Sequence, residues 1–404
     1  MRRTQHHNRR KQEIRLRLVV LAVAAVCLVA GGFVLGRVTA PKPHQAAVVK
    51  KSAQIRRNKP SRSRQTTAAA AASPVVPRAI AQPIQQTLTA RLQAQHFSGT
   101  AIVIKNGKLV ASTSLGQASV KRHLANREDT MFEIDSLQKS LTAGLVIQLL
   151  DAGKLKLTTP IGDFYPRFKN QPRITVGTLL KMRSGLKTVG TLAPKYQSDR
   201  QLVDYVAAHV TDDPHQFGIW QYTAVNYVLL VGIVEKVTGQ SYEALFKQAY
   251  IDRLHLKQTV MAYHLRPTMN YASGYNVQGQ NSYASQQLTS LDQMHAELGT
   301  GQVYMSALDF YRATRSLMTG DLLGGTRAQL YRPGQPNLFY DAGFYQNVPG
   351  FLRANGSGYG YMTTMQLSRN GRDAVVILGN VQGRSRAGII ALAGQLRQQF
   401  LQAK

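Results

Sequence analysis

The sequence predicts a mixed α/β fold of the α+β kind, with one sheet built from the two ends of a folded domain and a helical region inserted between them. Three observations carry this. Two strand-like runs, Ser98–Ile104 (SGTAIVI) and Leu109–Leu115, are joined at Asn106-Gly107, a dipeptide suited to a tight hairpin loop. Two more, Tyr359–Leu367 and Asp373–Asn380, flank a second Asn-Gly turn at Asn370-Gly371. The readable segments between these pairs are helical.

The elements follow in order. Pro83–Gln95 reads as an opening helix, with Pro83 suited to the first position because its missing N–H has no partner there anyway. After the first hairpin, an amphipathic run from about Ser136 to Ala152 reads as a helix stopped by Gly153. Thr175–Arg183 and Tyr222–Thr238 read as further helices, the second ended by Gly239. Ala387–Gln402 closes the chain as an amphipathic helix. No internal repeats interrupt this order.

Charge and hydropathy divide the chain before any fold is considered. It has 404 residues, 44% hydrophobic, with 50 Lys+Arg against 20 Asp+Glu. Residues 1–78 hold seventeen Lys/Arg and a single acid, Glu13, so the rest carries about +14. Residues 18–36 (LVVLAVAAVCLVAGGFVLG) are uncharged and about as long as a helix needs to cross a bilayer. Seven basic residues precede them, so the positive-inside rule puts 1–17 in the cytoplasm and the C-terminal domain outside. The expectation is a single-pass signal anchor; a cleaved signal peptide is the rival, with Val38-Thr39-Ala40 as its cleavage site and Pro41 against it. Cys27, the only cysteine, sits inside that segment, so no intrachain disulfide can form. Residues 37–80 read as a basic, disordered linker with too little apolar periodicity to pack, and 81–404 as the folded domain. The positive field favours an anionic membrane surface or wall polymer as partner. Nucleic acid is not expected, since no recognition helix, zinc spacing or aromatic RNA-binding motif is present.

The chemistry concentrates at Ser136-Leu137-Gln138-Lys139. On a helix, residues three apart share a face, so Ser136 and Lys139 lie one turn apart and together. A serine hydroxyl becomes a nucleophile when a neighbouring base takes its proton, and a buried lysine amine can be that base. Ser136 at a helix start also feels the positive end of the helix dipole. An exposed, capping serine and a solvated lysine are the bland alternatives. The ten histidines show no metal-pair spacing, and no phosphate loop or dinucleotide fingerprint is present, so neither metal nor cofactor is expected.

Three ordered segments resemble the serine β-lactamase and penicillin-binding-protein superfamily, nearest its class C and D-alanyl carboxypeptidase or esterase branch. The Ser-x-x-Lys helix runs into Gly153-Lys154-Leu155-Lys156-Leu157 and Pro160, similar to a "GKL-x-L-x-x-P" segment. Residues 174–186 (ITVGTLLKMRSGL) resemble "ITIRHLLTHTSGL", and residues 220–242 resemble "YSNTNYVLLGLIIEKVTG". The resemblance implies a β-lactamase/transpeptidase-like fold: an antiparallel sheet flanked by helices, a helical subdomain, and the site in the crevice between them. It implies Ser136 as nucleophile, Lys139 as base and Tyr222 as proton relay. It implies a glycine-lined strand at Gly356, with the Ser357 N–H joining that of Ser136 in an oxyanion hole.

The sequence also departs from that pattern. Ala224 stands where the Tyr-x-Asn motif has asparagine, and Asn226 is the nearby residue that could supply the missing amide. Ala354 stands where the His/Lys-x-Gly motif has a cation or imidazole, with Arg353 and Asn355 beside it. Met182 and Arg183 occupy the place of the histidine in "THTSGL". The expected function is a membrane-anchored, extracytoplasmic serine hydrolase acting through an acyl-enzyme on D-alanyl cell-wall material, a β-lactam or another small ester or amide. The alternative is a catalytically silent relative that binds or regulates wall polymers.

Overall fold

The computed structural model describes residues 76–188, 195–278, 281–331, 339–383 and 386–402. The expected cytoplasmic tail, membrane anchor and most of the basic linker lie outside these residues. Among the described residues no helix is long and apolar enough to cross a membrane.

The first helix, α1 (Gln82–Ala94), has its proline in the opening turn and leads to β1 (Gly99–Lys105) and β2 (Lys108–Leu115). Asn106 and Gly107 both adopt positive φ, 53° and 76°, as a two-residue hairpin loop demands. The short β3 (Phe132–Glu133) precedes a one-turn 3-10 segment, Asp135–Leu137, and then α2 (Gln138–Asp151). Next come α3 (Val176–Leu180), α4 (Asp199–His209) and α5 (Val225–Thr238), with Gly239 at φ 72° closing the last. Strands β4 (Thr259–Met261) and β5 (Val303–Met305) form a three-stranded sheet with β3, ordered β3-β5-β4. The helix α6 (Ala307–Thr319) leads back to the main sheet. That sheet is completed by β6 (Tyr340–Asp341), β7 (Phe344–Val348), β8 (Phe351–Gly358), β9 (Tyr361–Ser368) and β10 (Ala374–Gly379). The closing helix α7 spans Arg386–Leu401.

The main sheet has the order β6-β7-β8-β9-β10-β1-β2 and is antiparallel throughout. The chain's early hairpin joins its late one through β1 and β10, with Gly99 opposite Gly379 and Ile102 opposite Val376. Both faces of this sheet are covered, which explains why β1 reads as an unbroken apolar run rather than an alternation. Ala101 and Val103 pack with Leu88, Leu92, Leu392 and Leu396 from α1 and α7. Ile102 and Ile104 point the other way, into the larger core shared with α2.

Three sequence expectations are corrected. The run after Ser136 is not amphipathic in place: α2 is buried almost all round, as a helix threaded through a core must be. The helix expected from Thr175 to Arg183 stops at Leu180, because Met182 turns left-handed at φ 52°. The helix expected from Tyr222 begins only at Val225. The segment before it is held as a brace, with Gly218 N–H donating to the Arg183 carbonyl (2.9 Å) and Gln221 N–H to that of Met182 (2.9 Å).

Candidate active site

Ser136 lies in the 3-10 turn that feeds α2, and Asp135 just before it sits at φ 47°. A non-glycine residue there is strained, and such strain persists only where the surroundings hold it. No side chain caps α2, so Ser136 is not spent as a helix cap. Lys139, one turn on, is 2% exposed. Its Nζ lies 2.8 Å from Ser136 Oγ and 3.4 Å from the Thr300 carbonyl oxygen. As an ammonium it donates to both. Once neutral it can accept the serine's proton across the same 2.8 Å contact, and that is the arrangement a serine nucleophile needs.

Tyr222 stands across from this pair. The Lys139 Nζ is 5.3 Å from the centre of its ring, which packs edge-on against Tyr340 at 6.0 Å. At 39% exposed, Tyr222 faces the solvent side of the site while Lys139 is sealed beneath. The ring is placed by the brace at Gln221 and by β6, two segments more than a hundred residues apart in the chain.

The opposite wall is β8. A Cβ added at Gly356 would lie 2.7 Å from Asp135 Cβ, 2.7 Å from the Ile134 carbonyl and 2.4 Å from Thr363 Oγ1. Only glycine lets this strand come so near the serine's turn. Next to it, Ser357 Oγ accepts from Gln382 Nε2 at 2.9 Å, which anchors the strand end.

The beta-lactamase family model matches residues 84–396. The chain belongs to the beta-lactamase family. It is 29% identical over 313 residues to the putative penicillin-binding protein PbpX of Bacillus subtilis, covering 75% of each chain. It is 29% identical over 318 residues to the teichoic acid D-alanine hydrolase of Staphylococcus aureus, covering 74% of each. The crystal structure of FmtA from Staphylococcus aureus superposes with a TM-score of 0.69 at 25% identity, over 78% of this chain and 89% of that one. Fold, family and relatives make this chain a β-lactamase-related serine hydrolase of the penicillin-binding-protein type.

Within that family's pattern, the structure shows what the replaced residues do. Asn226 does not stand in for the amide lost at Ala224. It is fully buried, its Oδ1 accepts from Ser184 Oγ at 2.6 Å, and its Nδ2 donates to the Thr223 carbonyl at 3.3 Å. The amide oxygen ties the loop after α3 to the start of α5, and one amide N–H closes the turn that enters α5. Ala354 is a core residue opposite Met365, where a charge would be costly. Asn355 is likewise engaged, its Oδ1 accepting from Thr364 Oγ1 at 2.9 Å. The Arg353 guanidinium lies over the Tyr345 ring at 4.6 Å. Neither neighbour restores the missing cation in this register.

Sequence reasoning missed the turn that seats the lysine. Thr142 Oγ1 donates to the Gly299 carbonyl at 2.6 Å, and Gln302 N–H donates to Gln138 Oε1 at 2.6 Å. Thus α2 grips residues 299–302 from both sides of Lys139. The only local signal was the Gly299-Thr300-Gly301 run, which reads equally well as an ordinary loop. Among the described residues no group of three or more His, Cys, Asp or Glu could hold a metal ion.

Proposed function

We propose that this protein is a membrane-anchored, extracytoplasmic hydrolase that removes D-alanyl groups from esters of an anionic cell-wall polymer. The observation that carries this reading is the buried Lys139 amine 2.8 Å from the Ser136 hydroxyl, with Tyr222 across the cleft. Ser136 Oγ attacks the ester carbonyl as its proton passes to Lys139. The C–O bond to the polymer alcohol then breaks, and that oxygen takes its proton back by way of Tyr222. Water attacks the acyl-enzyme by the same route in reverse and releases free D-alanine. The Ser136 and Ser357 N–H groups serve the oxyanion, and each such donor is worth roughly 10²–10³ in rate.

Esters are favoured over amides and penicillins for two reasons. An alkoxide is a better leaving group than an amine and needs less acid assistance, so loss of the Tyr-x-Asn amide at Ala224 matters less. Loss of the cation at Ala354 removes an anchor for a substrate carboxylate. The similarity to the teichoic acid D-alanine hydrolase supports this class, and the formal charge of +30 suits a polyanionic carrier. Residues 18–36 anchor the chain, and 37–80 let the domain work at a distance of roughly 35 Å from the bilayer as a flexible coil.

The test is release of D-alanine from purified teichoic acid by the full chain in membranes, compared with Ser136→Ala, alongside labelling by a fluorophosphonate and a fluorescent penicillin. Release and labelling that vanish in the variant are expected. Polymer binding equal in both, with no release by either, sinks the hydrolase and favours the second reading, a silent wall-polymer binder. That second reading draws on Ala224 and the core-buried Ala354.

A further inference from the structure

We propose that Glu297 is a positioning residue for Lys139, tying the turn that seats the amine to the strand end that walls the nucleophile. The inference rests on the reading of Lys139 as the base for Ser136. Glu297 closes its own turn: its carbonyl accepts from Thr300 N–H (2.8 Å) and Gly301 N–H (3.0 Å). One carboxylate oxygen, Oε2, accepts from Thr300 Oγ1 at 2.8 Å. Thr300 is therefore held by Glu297 at two points, its N–H and its hydroxyl, and its remaining group, the carbonyl, is the one that takes the Lys139 Nζ.

The other carboxylate oxygen, Oε1, accepts from the Tyr359 hydroxyl at 3.2 Å. Tyr359 sits at φ 46° in the turn between β8 and β9. It directly follows Gly358, where an added Cβ would lie 3.0 Å from Asp135 Oδ1. The two oxygens of one side chain thus join the lysine's seat to the strand that passes the serine's turn. A lysine on a four-carbon stem has many rotamers, and a shift of about 1 Å in its seat can cost on the order of 10² in rate. Two hydrogen bonds made by one short side chain, one to each segment, resist such a shift.

Charged and titratable groups on neighbouring elements face the same cluster. Tyr359 feels Glu297 together with Glu133 on β3 and Asp135 on the serine's turn, and Tyr304 on β5 and Tyr361 on β9 lie beside Glu133. Burial, with Glu297 adding to it, pushes the Glu133 carboxyl up to about 8, so Glu133 is mostly protonated at neutral pH. Its Oε2 accepts from the Tyr304 hydroxyl at 3.3 Å.

The experiment measures ester turnover and fluorophosphonate acylation of the full chain against pH, for wild type, Glu297→Ala and Glu297→Gln. The Ala variant should lose about 10- to 100-fold in kcat and acylation rate, with KM changed less than about twofold and a displaced pH–rate profile. The Gln variant, whose amide can still meet both hydroxyls, should recover to within about threefold of wild type. An Ala variant with wild-type rate and pH profile overturns the inference. Should the Ala variant lose cooperative melting, Thr300→Val and Tyr359→Phe decide, since each removes a single bond. A drop of about threefold or more in each supports the clamp, and no change in either overturns it. A wild-type chain without Ser136-dependent acylation sinks the hydrolase reading and this inference with it. An active wild type with an unaffected Glu297→Ala sinks this inference alone.

Discussion

The position that Gly356 leaves vacant is 2.7 Å from the Cβ of Asp135, so strand β8 and the nucleophile's turn are in contact through a missing methyl group. The neighbours at that point include backbone, the Ile134 carbonyl at 2.7 Å, which cannot rotate aside. Gly356→Ala should push the strand away from Ser136 and lower kcat/KM by about 10² or more through lost geometry. Its stability should fall by an amount typical of overpacking, about 1–3 kcal/mol, and its melting temperature with it. Ester kinetics together with thermal melts check this, and a variant with unchanged kcat/KM would show that β8 does not shape the site.

Lys139 is a buried amine held by a serine and a backbone carbonyl, and among the described residues it makes no salt bridge. Lys139→Met keeps the stem and removes the base. Acylation of Ser136 should fall by roughly 10²–10⁴. Stability should hold or rise, because a desolvated polar group is replaced by an apolar one of similar length. Labelling rates and a denaturant titration read the two effects separately.

Tyr222 is 39% exposed, and its ring meets Tyr340 in a T-shaped contact at 6.0 Å. Tyr222→Phe should therefore leave the fold unchanged while turnover drops about 10²-fold or more, with amides losing more than esters. Equal losses on both substrates would remove Tyr222 from the proton path to the leaving group.

Two buried carboxyls make stability depend on pH. Burial raises the Glu133 carboxyl from an ordinary 4.5 to about 8, and the Asp341 carboxyl from 3.8 to about 7. In each case the folded state holds its proton more tightly than the unfolded chain. Their stabilisation is complete below about pH 4 and is lost as pH rises through 7 and 8. The melting temperature should fall between pH 5.5 and 8.5. The double variant Glu133→Gln, Asp341→Asn should flatten that slope, the difference being on the order of a few kcal/mol. An equal slope in both proteins would place the titration elsewhere.

Local signals carried much of the architecture. Asn106-Gly107 and Gly239 are turn and stop residues whose backbone preference holds whatever surrounds them, and they fall where expected. The Ser136–Lys139 pair was legible because three residues on a helix bring two side chains together without any help from the rest of the chain. The family resemblance was legible for a similar reason, being carried by contiguous runs. The engagement of Asn226 was not legible, because its partner Ser184 lies 42 residues away and nothing local tells an engaged amide from a free one. The helix after Ser136 was misread because the pattern shows apolar residues and cannot show how many sides will be covered.

The sequence by itself determined which residues could react, where the main turns fall, and that both chain ends contribute to one sheet. The tertiary structure alone decided that the Thr300 carbonyl seats an amine 161 residues earlier in the chain, that Glu297 reaches Tyr359, and that Gly356 admits the serine's turn. The physical reason is that a site made where distant segments close together depends on contacts whose free energy exists only once the sheet has formed.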